Sequence, residues 1–179
     1  MIIAELEEYQ ENVLARKHHP LLGRPSLHAS LITGGTELST YPDRCVVQFE
    51  RRTLPGETAA DFAREVEEAC GRVRTRRPGL RADVKPGFAQ EPNDVAPDHP
   101  LVLALAAALG RAGAAAPVEG LACWTDAALL SAAGIPAVCF GPGDIALAHS
   151  AEEYVLVGEV ECATEVLTSL IGHWFGDAH

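Results

Sequence analysis

A proline-rich segment near the middle of the chain limits what the sequence can fold into. Residues 91–100 read EPNDVAPDHP, and such a density of proline, aspartate and asparagine favours loops over helices or strands. The hydrophobic pattern also changes across this segment, from an amphipathic helix and alternating stretches to apolar runs that alternate with helices. The sequence therefore predicts two folding units, residues 1–91 and residues 92–179.

The first part carries patterns typical of an α+β module. Ile2, Leu6, Tyr9 and Val13 recur at helical spacing between charged residues and predict an amphipathic helix over 3–17. Apolar and polar residues alternate in two stretches and, more weakly, in a third, which predicts strands at 27–31, 45–49 and 80–88. Together with a second helix, predicted over residues 58–76, these elements are expected to form a module of two helices on a small antiparallel sheet.

That second helix is predicted over residues 58–76. Thr58 and Asp61 fit a capping box, in which each side chain accepts a hydrogen bond from the other residue's backbone N–H. Its apolar residues repeat at helical spacing and predict a buried stripe of Phe62, Val66, Ala69, Cys70 and Val73.

The second part alternates predicted strands with predicted helices. Helices are expected at 101–111, 126–133 and 160–174, and strands at 118–121 and 135–140. The strand at 135–140 is a continuous apolar run, which suits a position buried in a parallel sheet. This order predicts part of an α/β domain.

Charge and hydropathy exclude several classes of function. The net charge of −11 disfavours nucleic acid as a partner, because an acidic surface repels phosphates. The apolar run at 101–109 is too short to span a bilayer. Four glutamates near the start, Glu5, Glu7, Glu8 and Glu11, disfavour a secretory signal peptide. We expect a cytoplasmic protein with neither a nucleic acid nor a membrane as its partner.

The five cysteines are scattered singly and lack the close pairs of a zinc ribbon. An odd number of isolated thiols, mostly beside apolar residues, predicts free and buried cysteines in a reducing compartment. They are Cys45, Cys70, Cys123, Cys139 and Cys162.

A candidate site follows the apolar run at 135–140. Gly141-Pro142-Gly143 lets the backbone approach a ligand closely, and α/β sheets place their sites at the ends of such strands. His149 then precedes Glu152 and Glu153, which suits a metal ligand whose second ring nitrogen is held by a carboxylate. The pattern alone favours an ordinary surface histidine, because isolated histidines are common.

Longer motifs resemble one family of hydrolases, in the same order along the chain. In the second part they are Thr125-Asp126, Gly134-Ile135-Pro136, Gly141-Pro142-Gly143 and His149-Ser150-Ala151-Glu152-Glu153-Tyr154-Val155. In the first part they are HPLLG at 19–23, PSL at 25–27, GG at 34–35, YPDRC at 41–45 and ERRTLPGE at 50–57. Together they are similar to the zinc amidohydrolases that include acetylornithine deacetylase, succinyl-diaminopimelate desuccinylase and carboxypeptidase G.

The resemblance implies roles for particular residues. His149 matches the family's last zinc ligand, and Arg52 matches an arginine that binds a substrate carboxylate, a task that suits the fork of a guanidinium. Gly141 and Gly143 are expected to line the substrate pocket. Ser39 stands where many relatives have a substrate-binding Asn, and its hydroxyl cannot supply both hydrogen bonds of an amide.

The resemblance also implies which parts of the family's machinery this chain lacks. The other zinc ligands, namely a His-x-Asp pair, a bridging Asp and a further acid, precede the lid in the family, as does the catalytic Glu. Residues 1–91 correspond to the lid, or dimerisation, domain without its first strand, and residues 92–179 to the end of the catalytic domain. No catalytic residue is therefore assigned in this chain.

These correspondences favour a fragment of a di-zinc hydrolase of N-acyl amino acids or small peptides. Two zinc ions, or cobalt, are implied for the complete enzyme, and tight binding by this chain alone is not expected because one imidazole cannot hold zinc firmly. A homo-oligomer is expected through the lid. Two alternatives are a non-catalytic dimerisation or interaction module and one half of a split metalloenzyme.

Overall fold

The computed structural model describes residues 1–115 and 117–176, which divide into two compact units. The first unit is Met1–Pro92 with Gly120–Trp124, and the second is Asn93–Glu119 with Thr125–His179. The described residues form an α+β structure of five α-helices and a two-stranded antiparallel sheet. In order, the elements are α1 Ile2–Asn12, β1 Ser26–Gly34, β2 Cys45–Arg52, α2 Ala59–Arg76, α3 Pro100–Arg111, α4 Ala127–Ala132 and α5 Val157–Gly176.

The predicted helix over 3–17 is shorter in the structure and is followed by a tighter turn. Helix α1 ends at Asn12, and a 3₁₀ helix covers Leu14–Arg16. Side chains after Asn12 no longer follow α-helical spacing, because a 3₁₀ helix has three residues per turn, and the buried apolar position falls one residue later than predicted. Leu14 is consequently fully buried, while Val13 is 41% exposed.

The capping box of α2 is confirmed. The Thr58 hydroxyl accepts a hydrogen bond from the Asp61 N–H at 3.2 Å, and the Asp61 carboxylate accepts one from the Thr58 N–H at 3.0 Å. The predicted stripe is also confirmed, with Phe62 partly buried and its other members buried. Val66, Ala69 and Cys70 of this stripe pack with Leu6 of α1 in the core of the first unit, and Phe62 packs against them.

The sheet packs one face on this core. Strands β1 and β2 run antiparallel from Ser26 opposite Arg52 to Gly34 opposite Cys45, with a bulge between Ala29 and Leu31. On the covered face, Leu27 and Phe49 contact the core. Because the bulge inserts one residue, Leu31 is left 60% exposed despite its place in the alternating pattern.

The prediction of a strand at 80–88 is wrong. The structure assigns no strand there, although Ala82 and Val84 pack against the core. The guanidinium of Arg74 donates a hydrogen bond of 2.7 Å to the Ala82 carbonyl. A side chain thus takes a backbone acceptor that a neighbouring strand would otherwise use.

In the second unit, helices α3 and α5 pack together. Val102 and Ala108 of α3 and Ala163 and Val166 of α5 are buried. The structure assigns no strand at 118–121 or 135–140, so both predictions are wrong, and the described residues show no α/β arrangement. A segment is assigned as a strand only when its backbone pairs with that of a neighbouring strand, and the described residues of this unit form no such pair.

All five cysteines are free, as predicted, but their predicted burial is mostly wrong. Cys70 is buried and Cys162 is half-buried, while Cys45, Cys123 and Cys139 are exposed. Burial raises the pKa of the Cys70 thiol. Among the described residues, no helix has both the length and the apolar character that a membrane span requires.

Candidate functional site

Arg52 lies at the end of β2 with its side chain on the open face of the sheet. Side chains alternate between the faces of a strand, so Arg52 shares this face with Glu50. Its Nε lies 2.7 Å from Glu50 Oε1, and Nη1 donates a hydrogen bond of 3.4 Å to the Ala122 carbonyl. The Arg52 and Glu50 side chains are each 51% exposed. An exposed ion pair of this kind is weak, so a ligand carboxylate can displace Glu50 at little cost.

Arg51 points to the opposite, covered face and is the centre of a charged cluster. Its side chain is only 3% exposed and lies between two carboxylates, with Nη2 2.9 Å from Glu57 Oε1 and Nε 3.5 Å from Glu65 Oε2. Tyr9 of α1 donates a hydrogen bond of 2.7 Å to Glu65, and Lys17 forms an ion pair with Glu57. We call Arg51, Glu57, Glu65, Tyr9 and Lys17 the Arg51 network.

Two pKa values in the Arg51 network are displaced. Burial opposes the ionised form of Glu57, but the hydrogen bond from Lys17, the Leu54 N–H and the charge of Arg51 outweigh it and hold the pKa of Glu57 below its ordinary value. Burial, together with the hydrogen bond to Glu65, raises the pKa of Tyr9 well above its ordinary value. The two shifts favour an ionised Glu57 and a neutral Tyr9 phenol within the Arg51 network.

From the sequence, no role was assigned to Arg51, Glu57 or Glu65. A signal for Arg51 was present, however. Arg51 follows Phe49 by two residues, so a β2 strand that buries Phe49 must also turn Arg51 toward the core. A buried arginine needs carboxylate partners.

Ser39 lies in the connection between β1 and β2. Its hydroxyl donates a hydrogen bond of 3.0 Å to Glu37, which also accepts one from Thr40. These two bonds, that of Thr40 first, lower the pKa of Glu37. Ser39 precedes β2 and Arg52 is its last residue, and a strand of eight residues is roughly 23 Å long. The first unit therefore does not bring them into one site.

His149 occupies an exposed loop after a 3₁₀ helix at Ile145–Leu147. Its φ is 63°, and it is the one non-glycine residue with positive φ in the described part of the chain. The Glu153 carboxylate accepts a hydrogen bond of 3.1 Å from the backbone N–H of His149. The contact that the structure shows from Glu153 is thus to the backbone of the histidine, where the sequence suggested its ring.

The two glycines of the Gly-Pro-Gly loop have different surroundings. Gly143 has a φ of 90°, and a Cβ there would lie 3.6 Å from Val155 Cγ2. Gly141 lacks a positive φ, and a Cβ there would meet nothing within 4 Å. The backbone conformation requires glycine only at position 143.

The site residues predicted from the sequence fall into both units. Ser39 and Arg52 belong to the first, and Gly141, Gly143 and His149 to the second. Within residues 1–115 and 117–176, no three or more His, Cys, Asp or Glu side chains form a group that could hold a metal ion. The described residues thus do not fit a complete zinc site, which needs three or four protein ligands.

Residues 8–173 match Peptidase family M20/M25/M40, and the chain belongs to this family. The resemblance inferred from the motifs is therefore confirmed. The family is one of hydrolases that includes metallopeptidases and deacetylase-like enzymes.

Individual relatives match different lengths of this chain. The N-formyl-4-amino-5-aminomethyl-2-methylpyrimidine deformylase of Bacillus subtilis is 28% identical over 193 residues, covering 97% of this chain and 44% of the relative. The acetylornithine deacetylase of Myxococcus xanthus is 27% identical over 151 residues, covering 84% and 38%. The N-acetyl-L-citrulline deacetylase of Xanthomonas campestris is 44% identical over 48 residues, covering 27% and 13%. The chain spans less than half the length of these relatives.

Proposed function

We propose that the chain forms part of a metal-dependent amidohydrolase that cleaves the amide bond of N-acyl amino acids or small peptides. The observation that carries this proposal is the family match over residues 8–173. The names of the matched relatives support the substrate class, because a deformylase and two deacetylases each remove an acyl group. In this proposal, residues 1–91 form the lid or dimerisation domain and residues 92–179 the end of the catalytic domain.

Arg52 is proposed to bind the carboxylate of the substrate. Its place on the open face of the sheet and its exposed pairing with Glu50 support this role. A guanidinium can offer two parallel N–H donors to a carboxylate, which fixes the orientation of the substrate as well as binding it. The same geometry would select acyl amino acids over their amides.

His149 is proposed to supply one ligand to a site for two zinc or cobalt ions, with the other ligands and the general base coming from residues outside this chain. Its exposure and the fixed backbone conformation at the loop support this role. Gly141 and Gly143 are proposed to let the backbone approach the substrate, and Ser39 to offer a single hydroxyl to it.

A chimeric enzyme tests these roles directly. In the Myxococcus xanthus deacetylase, this chain would replace the matching segment, and hydrolysis of N-acetylated amino acids would be measured with Zn²⁺ or Co²⁺. We expect a folded chimera to be active and His149→Ala to abolish its turnover. His173→Ala, a histidine substitution on α5, is the control and should leave turnover unchanged. An active chimera that tolerates His149→Ala would contradict the ligand role.

The same chimera tests Arg52. We expect Arg52→Ala to raise KM for substrates with a free carboxylate by roughly tenfold or more, since a charged hydrogen bond contributes about 1.5–3 kcal/mol. Arg64→Ala removes an exposed arginine that pairs with Asp61 on α2 and serves as the control. Equal KM values for Arg52→Ala and the parent chimera would remove Arg52 from the substrate site.

A further inference from the structure

The guanidinium of Arg51 is engaged at each of its three nitrogens. Two of them face Glu57 and Glu65, and the third, Nη1, donates a hydrogen bond of 2.8 Å to the backbone carbonyl of Arg52. One planar group on the covered face of the sheet therefore fixes the backbone of the residue whose side chain occupies the open face.

The partners of Arg51 come from several elements around the end of β2. Glu65 lies on α2 and accepts a hydrogen bond from Tyr9 of α1. Glu57 lies in the turn after β2, accepts a hydrogen bond of 2.9 Å from the Leu54 N–H and pairs with Lys17. The Arg51 network thus ties both helices of the first unit and the turn to the last peptide of the strand.

Folding stability alone does not account for an arginine at this position. Apolar residues of similar volume often stabilise a core as well as a buried ion pair does, because the pair must lose its hydration. An apolar residue could not, however, donate a hydrogen bond to the Arg52 carbonyl. Strand ends fray readily, so a side chain that fixes this carbonyl limits the directions that the Arg52 side chain can take.

We propose that Arg51 is a positioning residue that orients Arg52 toward the substrate carboxylate through the Arg52 backbone, an inference that rests on the proposed binding role of Arg52. Arg51 itself does not touch the substrate, because it lies on the covered face. Misplacing a group by about 1 Å can lower a catalytic rate by about two orders of magnitude, and a hydrogen bond to a carboxylate is likewise weakened when its donor is displaced. The Arg51 network would therefore affect carboxylate affinity without contributing a contact to the ligand.

The test uses the full chain and two small probes in titrations followed by nuclear magnetic resonance. N-Acetylglycine carries the carboxylate, and N-acetylglycinamide replaces it with an amide. Arg51→Lys keeps the charge between Glu57 and Glu65 but cannot bond to both carboxylates and to the Arg52 carbonyl in the same planar geometry. Arg51→Met removes the charge and the donors but keeps an unbranched, flexible side chain. Arg64→Lys on α2 is the control.

We expect Arg51→Lys to retain the fold and to weaken N-acetylglycine binding by roughly three- to tenfold, with a larger loss for Arg51→Met. Binding of the amide should not change, and the Arg52 Nε–H should exchange with water several-fold faster than in the parent. Arg64→Lys should match the parent in both measurements. If Arg51→Met fails to fold, Arg51→Lys decides the result.

The outcomes separate this inference from the proposed function. A folded Arg51→Lys chain with parental affinity and parental Arg52 Nε–H exchange would overturn the positioning role and leave the role of Arg52 intact. A parent chain that binds both probes equally, with no further loss in Arg52→Gln, would overturn the binding role of Arg52. The positioning role would then fall with it, whatever the exchange rates.

Discussion

At the end of β2, two adjacent arginines have opposite environments because side chains alternate between the faces of a strand. Arg51 is buried between carboxylates, and Arg52 is half-exposed beside Glu50. The buried arginine is held at three nitrogens, so it is rigid, whereas the exposed one keeps a replaceable partner. Arg52 can therefore exchange Glu50 for another anion, while the rigid Arg51 side chain holds its backbone in place.

Glu57 should make the stability of the first unit depend on pH. Its folded pKa lies below the ordinary value of 4.5, so ionised Glu57 stabilises the fold above that pH, and this contribution is lost as the pH falls through the lower folded pKa. We expect Glu57→Gln to lower the free energy of unfolding by about 1–2 kcal/mol at neutral pH, allowing for partial solvent screening. Urea unfolding at several pH values measures this.

In that experiment the difference between Glu57→Gln and the parent should shrink as the solution is acidified below the ordinary pKa. Glu68→Gln is the control, because Glu68 is exposed and its contact with Arg64 is 4.0 Å long. A difference that stays constant down to strongly acidic pH would show that the loss does not come from the charge of Glu57.

The two glycines of the loop at 141–143 allow a matched pair of substitutions. Gly143→Ala should destabilise the second unit by about 1–2 kcal/mol, because an L-residue is strained at a φ of 90° even where space allows a Cβ. Gly141→Ala should have little effect, since its φ is not positive and its surroundings are open. Thermal unfolding compares them, and equal destabilisation would mean that conformation is not what Gly143 supplies.

At the scale of elements, helices were more predictable from the sequence than strands. Helix α2 follows from its capping residues and its apolar stripe, which are local features of the sequence. The apolar run at 135–140 satisfies the same kind of local rule for a strand, yet no strand forms there because pairing depends on a distant neighbour. The two predicted strands that the structure contains are β1 and β2, which follow each other in the sequence and pair as a hairpin.

The capping box of α2 should contribute measurably to the stability of the first unit. Thr58→Ala removes the acceptor for the Asp61 N–H and should cost about 1 kcal/mol. Thr58→Ser keeps the hydroxyl and serves as the control. The hydrogen bonds from Thr58, followed by Arg64, lower the pKa of Asp61 to about 2. In Thr58→Ala the pKa of Asp61, followed by nuclear magnetic resonance, should therefore rise, and an unchanged value would contradict the hydrogen bond from the Thr58 hydroxyl to the Asp61 carboxylate.

At the scale of the whole molecule, the sequence named candidate site residues but not their arrangement. His149, Gly141 and Gly143 follow from a motif within one loop region, and Arg52 from a second motif in the other unit. A motif identifies residue types in order, whereas the Arg51 network and the hydrogen bond between Glu153 and the His149 backbone arise from packing and loop geometry. These supporting contacts are where the structure adds most to the sequence.

The exposed apolar side chains lead to a prediction about association. Leu31 and Ile32 on β1 are 60% and 65% exposed, and Val157 and Phe175 on α5 are 75% and 70% exposed. Exposed apolar residues on a short sheet with open edges favour contact with another chain. We therefore expect light scattering on dilute protein to show a dimer or a larger species.

Two neighbouring substitutions on β1 locate the surface responsible. Ile32→Lys places a charge on the face of β1 that carries Ile32 and should shift the population toward monomer, because burying an unpaired ammonium in an interface is costly. Thr33→Lys adds the same charge on the other face of the strand, which carries Leu31, and should leave the assembly unchanged when the contact is made by the face of Ile32. If both variants and the parent are monomers with one cooperative unfolding transition, the exposed residues of β1 do not mediate association and the first unit is stable without a partner.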